Sequence, residues 1–119
     1  MPHVSGIFFR DDDGSVPMRV WLDAIPKKAQ AKCLVHLLRL ESQGYELRRP
    51  VADYLRDGIY ELRVDLLGIH YRMLYFFHGR TAVVVSHGLV KERVVPPGEI
   101  DLAVRRKMKF ERDPEAHTE

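Results

Sequence analysis

Two arginines and two histidines are the residues whose types best suit chemistry in this 119-residue chain. The stretch DGIYELRVDLLGIHYRMLYFF, Asp57 to Phe77, carries Arg63, His70 and Arg72. The stretch SHGLVKER carries His87, Lys91 and Arg93. Guanidinium groups grip phosphate in bidentate fashion. Histidine moves protons near neutrality. A surface that gathers them is suited to holding an anion such as a phosphate.

Spacing says how these groups would meet. From Ile59 to Asp65, Tyr60, Leu62 and Val64 alternate with Glu61, Arg63 and Asp65. From Ile69 to Phe77, His70, Arg72, Leu74 and Phe76 alternate with Tyr71, Met73, Tyr75 and Phe77. That period belongs to strands. A two-residue turn at Leu67–Gly68 sets Asp65 opposite His70 and Arg63 opposite Arg72. Like charges directly opposite each other destabilise a sheet. Two readings follow: a solvated face on which Glu61 neutralises one guanidinium, or a site completed by an anion from outside. TAVVVSHGLV reads as a central strand covered on both faces. Placed beside the hairpin, it brings Lys91, Arg93, His70 and His87 toward one concave face. For each histidine alone, a structural or surface role is the plainer reading.

The remaining elements must position that face. VSGIFF is a short strand stopped by RDDDGS. Ser15 offers an N-cap to a short helix that starts at Pro17 and ends at Pro26, with Val20, Trp21 and Ala24 on one side. A longer helix spans Lys27 to Gln43, with Ala31, Leu34, Val35, Leu37, Leu38 and Leu40 as one broad buried stripe and Gly44 closing it. The two helices read as a hairpin. LRRPVADYLRDG reads as irregular, with one helical turn at Val51–Leu55. Gly98–Glu99 opens a last helix with Ile100, Ala103, Val104 and Met108 on one face. Arg105, Arg106, Lys107 and Lys109 crowd its end, where cations suit the helix dipole. The fold class is α+β: a small antiparallel-dominated sheet with helices against one face. One domain covers 1–112, and 113–119 reads as a flexible tail.

Composition narrows the class. Hydrophobic residues make up 45% and charged residues 30% of the chain, which excludes global disorder. A net charge of +2 does not by itself demonstrate a nucleic-acid partner. The single cysteine, Cys33, allows no internal disulfide and reads as a buried structural thiol in a reducing compartment. No signal peptide, membrane span, Gly-rich phosphate loop or zinc-type Cys/His spacing is read. A cytoplasmic protein is expected.

Taken in order, LRRPVADYLRDGIYELR, GIHYRMLYFF, VSHGLVKER and PPGEIDLAVRR resemble the RelE/HigB superfamily of toxins from bacterial type II toxin–antitoxin systems. The likeness is to the phage-related HigB-like branch and covers about Leu47 to Arg106. It implies a RelE-like fold and a ribosome-dependent mRNA endonuclease that inhibits translation and growth. It also implies catalysis without metal or other cofactor, and a cognate helix-turn-helix (HigA-like) antitoxin as partner. By position, Arg72 matches the family's sheet arginine at the scissile phosphate. Arg63 matches the neighbouring basic position, and Lys91 the first lysine of a paired element. Arg93 falls where another cation is common, and His87 is a candidate for proton transfer. Arg93, His70, Arg105 and Arg106 are expected to bind RNA. Glu92, Val95 and Asp53 stand where lysines are usual, and each removes positive charge. Two further readings stay open: a ParE-like inhibitor that binds gyrase without catalysis, and an inactive remnant that only binds its antitoxin.

Overall fold

A computed structural model describes residues 4–119 of the chain. Two tight turns set its sheet. Leu67 and Gly68 have φ of 50° and 80°, the doubly positive pair that a two-residue hairpin turn requires. They join β3 (Ile59–Leu66) to β4 (Ile69–His78). The register is the one the alternation predicts: Leu66 faces Ile69, Asp65 faces His70 and Arg63 faces Arg72. Asp57 and Gly58, at φ 53° and 83°, do the same between β2 (Ala52–Arg56) and β3. The helical turn expected at Val51–Leu55 is therefore a strand. Its missed signal is the Asp-Gly pair, among the strongest short hairpin cues.

β5 (Ala82–Lys91) pairs antiparallel with β4, and β1 (Ser5–Phe8) pairs parallel with β5. The result is a five-stranded mixed sheet in the order β1-β5-β4-β3-β2. α1 (Pro17–Ala24), α2 (Lys27–Gln43) and α3 (Pro97–Arg112) complete an α+β fold. The helices do not share one face. Met18 and Leu22 of α1 and Ala29, Cys33 and Leu40 of α2 pack on Leu62, Val64, Tyr71, Met73 and Tyr75. Ile100, Ala103 and Phe110 of α3 pack on Ile59, Leu74, Phe76 and Val84, which point the other way. Alternation along β3 and β4 feeds both cores, because successive side chains leave a strand on opposite faces. Burial lifts the Cys33 thiol to about 11, so it stays protonated and inert as expected.

Helical periodicity misplaced several side chains. On α2, Leu34, Val35 and Leu38 are 48%, 63% and 65% exposed, so the leucine-rich stripe is only partly core. On α1 it is Met18 and Leu22 that are buried, while Val20 is exposed. On α3, Phe110 takes the buried place given to Met108. Ser15 does not cap α1; Val16 holds that position and the Ser15 hydroxyl donates to Asp13. Trp21 lies over Gly88, where any Cβ would collide with the indole.

Contacts from α2 and the C-terminal residues blunt the outer edge of β1, as an unpaired edge strand requires. Glu41 of α2 accepts the Val4 N–H through its carbonyl (2.9 Å) and the Gly6 N–H through its carboxylate (2.7 Å). The Glu119 N–H donates to the Phe8 carbonyl at 3.1 Å. The end of the segment read as a flexible tail, His117 to Glu119, is thus docked against Phe8 and Phe9. Thr118 bridges to Phe9, the His117 ring stacks on Phe9 at 5.1 Å, and Glu119 pairs with Arg19. His117 supplies the buried ring that gives so polar a segment a reason to dock.

Candidate functional site

The α3-side face of the sheet is only half covered. Odd residues of β3 and even residues of β4 share it. Nearer the Asp57–Gly58 turn they are apolar and lie under α3. Toward the Leu67–Gly68 turn they are charged. There the strands build one alternating ladder of ion pairs. Arg49 lies 2.9 Å from Asp53, and Asp53 lies 3.2 Å from Arg63. Arg63 and Arg72 each approach Glu61 at 3.2 Å. Arg72 then meets Asp65 at 2.9 Å, and Asp65 meets His70 at 2.8 Å.

The ladder resolves the repulsion between Arg63 and Arg72 from within. Glu61, 3% exposed, lies between both guanidiniums. Arg72, 4% exposed, also donates to the Tyr71 carbonyl at 2.9 Å. The expectation that Arg72 presents itself to a phosphate meets a physical obstacle: its guanidinium is inside, held by the protein's own carboxylates. Arg72 Nε and Glu61 Oε1 are within ion-pair range but misaligned for a hydrogen bond, and neither atom has a hydrogen-bond partner among the described residues. Arg72 is a keystone that fixes Glu61 and Asp65. Arg63, with its side chain 26% exposed, is the more accessible of the pair.

His70 stands at the open end of the ladder. Its side chain is 45% exposed and its Nδ1 lies 2.8 Å from Asp65 Oδ1. With Nδ1 donating to that carboxylate, Nε2 is the acceptor nitrogen and has no hydrogen-bond partner among the described residues. Burial opposes ionisation of Asp65, but hydrogen bonds from Arg72 and His70 outweigh it and hold the carboxyl below its ordinary range. Lys91 is the direct cross-strand partner of His70. Opposed residues put their side chains on one face with Cβ atoms about 5 Å apart. His70, Asp65, Arg72 and Lys91 therefore form one group, with Arg63 beside Arg72.

His87 lies elsewhere. The β4–β5 register shifts between Leu74 and Tyr75, where a bulge leaves Ser86 without a partner. Ser86 and His87 both turn toward α3. His87 is 6% exposed, with Nδ1 2.8 Å from the Ser86 hydroxyl and Nε2 3.0 Å from Glu99. Burial, helped by the charge of Arg106, depresses its basicity against the pull of Glu99. Both nitrogens are engaged inside the protein and the ring is buried under α3, apart from the ladder. Arg106, read as an RNA-binding cation, is likewise turned inward: it donates to Ser86 at 3.3 Å, lies over the Phe9 ring and approaches Asp11 at 3.7 Å. Burial lowers its basicity. Arg105 is exposed on α3, and Arg93 is exposed in the loop after β5. Neither is tied to the ladder by an ion pair among the described residues.

Two of the three positions without lysine have structural reasons. Val95 is in the α3-side core, 7% exposed. Asp53 is the joint between Arg49 and Arg63, its carboxyl held low chiefly by Arg49. Only Glu92 is a plain exposed substitution.

A family profile described as phage derived protein Gp49-like (DUF891) matches residues 20–108. The chain belongs to that family. The match spans α1 to α3 and contains the whole ladder, so the charged face is part of the Gp49-like domain. No curated protein matches this Gp49-like chain. Among the described residues no helix is long and apolar enough to cross a membrane.

Proposed function

We propose that this Gp49-like protein is a toxin of the RelE/HigB type that cleaves messenger RNA on the ribosome, with His70 as its proton-transfer residue. One observation carries the reading: an exposed histidine is oriented by a buried-arginine-anchored carboxylate (His70–Asp65–Arg72) directly across from Lys91. RNA supplies its own nucleophile. The 2′-oxygen forms a bond to the adjacent phosphorus as the bond to the 5′-oxygen breaks. His70 Nε2 takes the 2′-hydroxyl proton, and the departing 5′-oxygen takes one from solvent. The products are a 2′,3′-cyclic phosphate and a 5′-hydroxyl. Lys91 and Arg63 stabilise the added negative charge on the phosphorus centre, and Arg93 extends the cationic surface. Arg72 acts through Asp65 and Glu61, as a positioning residue.

A helix-turn-helix antitoxin belongs to the same reading. The uncovered Leu34, Val35 and Leu38 of α2 form an apolar strip between exposed Lys27, Lys28, Lys32 and Arg39. That strip fits an acidic amphipathic helix of the antitoxin, on the side of the sheet opposite His70. A Leu34→Glu, Leu38→Glu variant is expected to lose the antitoxin in co-purification while keeping cleavage.

The deciding experiment is induction of the chain under tight control with mapping of message 5′ ends. Codon-phased cuts that vanish with His70→Gln are expected. Growth arrest with intact messages overturns the cleavage reading and favours inhibition through protein binding. No arrest at all leaves the inactive remnant.

A further inference from the structure

We infer that the concavity beside the β2 edge is a second nucleic-acid site, which stacks an unpaired base on Tyr54 and takes its phosphate on Arg48. The proposal rests on the RNA reading above and extends it to a different part of the surface. The concavity encloses about 530 Å³ and is lined by Tyr45, Tyr54, Tyr60, Arg48, Arg49 and Asp53, among others.

The tyrosines are pinned and yet open. Tyr54 accepts the Gly58 N–H through its hydroxyl at 3.0 Å, and its ring stands edge-on to Tyr60 at 5.0 Å. It is nevertheless 52% exposed. Tyr45 stands edge-on to Phe77 at 5.5 Å and is 45% exposed. Behind them, Tyr60 stacks on Tyr75 at 5.3 Å, so the platform is rooted in the sheet. Rings held on one side and bare on the other lose little freedom when a base stacks on them. Every base offers such a face, and only unpaired bases offer it freely.

Charge agrees with this use. Arg48 is exposed and has no ion pair or side-chain hydrogen bond among the described residues. Arg49, with its side chain 75% exposed, is bound to Asp53 on one side only. Asp53 itself would repel a phosphate, but it lies between Arg49 and Arg63 and is neutralised by both. Asp53 is also the link to the ladder. Tyr54 stands on the α2 side of β2 and Asp53 on the α3 side, so the concavity meets the ladder only around the β2 edge, through Arg49 and Asp53. An acidic peptide would satisfy the arginines and leave three tyrosines without a role, so RNA is the better occupant.

The test uses a 12-nucleotide single strand with every 2′-hydroxyl methylated, which binds without being cut, read by fluorescence anisotropy. Stacking is worth about 1–3 kcal/mol per base, or roughly 5- to 150-fold. Tyr54→Ala and Arg48→Gln are each expected to weaken binding at least about fivefold, and Tyr54→Phe to keep it. Arg48 touches no partner, so its variant folds even if Tyr54→Ala does not. The same sequence as a duplex is expected to compete poorly. Binding unchanged in Arg48→Gln and Tyr54→Ala overturns the site, as does equal binding of duplex. Competition by a glutamate 12-mer as strong as by RNA overturns it in favour of a peptide. The two proposals fail separately. Tyr54-dependent binding without any message cleavage sinks the nuclease alone, and His70-dependent cleavage without Tyr54-dependent binding sinks this site alone.

Discussion

His70 and His87 leave the same face of one sheet and end in opposite conditions. His70 has one nitrogen tied to Asp65 and the other open, on a ring nearly half exposed. His87 has Ser86 on one nitrogen and Glu99 on the other, under α3. α3 makes the difference. It covers the face over Leu74, Phe76 and Val84 and stops short of the ladder. A covered histidine holds elements together; an uncovered one with an oriented ring can act on something else. The two arginines nearby divide in the same way. Arg106 is consumed by the α3 interface, whereas the Arg72 that anchors Asp65 leaves His70 poised at the surface.

Exchanging the two histidines in turn is the sharpest way to break the comparison. His70→Gln removes the proton acceptor and leaves Asp65 held by Arg72. Message cleavage is expected to fall about 10²- to 10⁴-fold, the usual share of general acid–base catalysis. The urea midpoint is expected to stay put, because the ring is largely exposed. A variant that cuts at full rate would return His70 to the plain surface role.

Next in size is Arg72→Leu. It strands Glu61 in the interior with only Arg63 for company. Breaking one side of a buried ion pair costs about 3–5 kcal/mol. Urea unfolding measures it, and a double variant, Arg72→Leu with Glu61→Leu, is expected to recover most of the loss. A cost below about 1 kcal/mol, typical of exposed pairs, would show the ladder is looser than its distances say.

Sequence patterns reached one half of this site further than the other. The Leu67–Gly68 turn fixes the register of β3 on β4 because one residue of slip would expose every core side chain. Arg63 opposite Arg72 and His70 opposite Asp65 were readable from that alone. Glu61 as the neutraliser was readable too, since it shares the face. What remained hidden depended on contacts between distant segments. No local pattern says that α3 crosses to the far face, that Ser86 is bulged so His87 turns inward, or that Asp53 joins Arg49 to Arg63. The α2 leucines show the same limit: periodicity finds an apolar side, and only the tertiary fold says how much of it is covered.

His87→Gln tests the buried side of the comparison. Loss of one partner leaves Glu99 or Ser86 unsatisfied, at about 1–3 kcal/mol. Cleavage per folded molecule is expected to be unchanged, which separates it from His70→Gln. If His87→Gln abolished cuts without changing stability, the assignment of the two rings would have to be reversed.

The smallest effect is in the pH dependence of stability, and its sign is set by His87. Burial and Arg106 keep the folded ring less basic than an unfolded histidine, whose ordinary value is about 6.5. Below that value the unfolded chain takes up a proton that the folded chain refuses. Stability is therefore full above about pH 6.5 and declines as pH falls toward the depressed folded value, by at most about 1.4 kcal/mol per pH unit for one group. His36, held low by burial and by Lys32 and Arg39, acts with the same sign, so His87→Gln should remove part of the slope and not all of it. Asp65 and Asp53 have lowered values and act at more acid pH, below their ordinary 3.8, where protonation undoes the ladder. Urea midpoints between pH 7.5 and 5 isolate the histidines from these carboxylates. An unchanged slope in His87→Gln would mean that its ring is wetter in solution than its place under α3 implies.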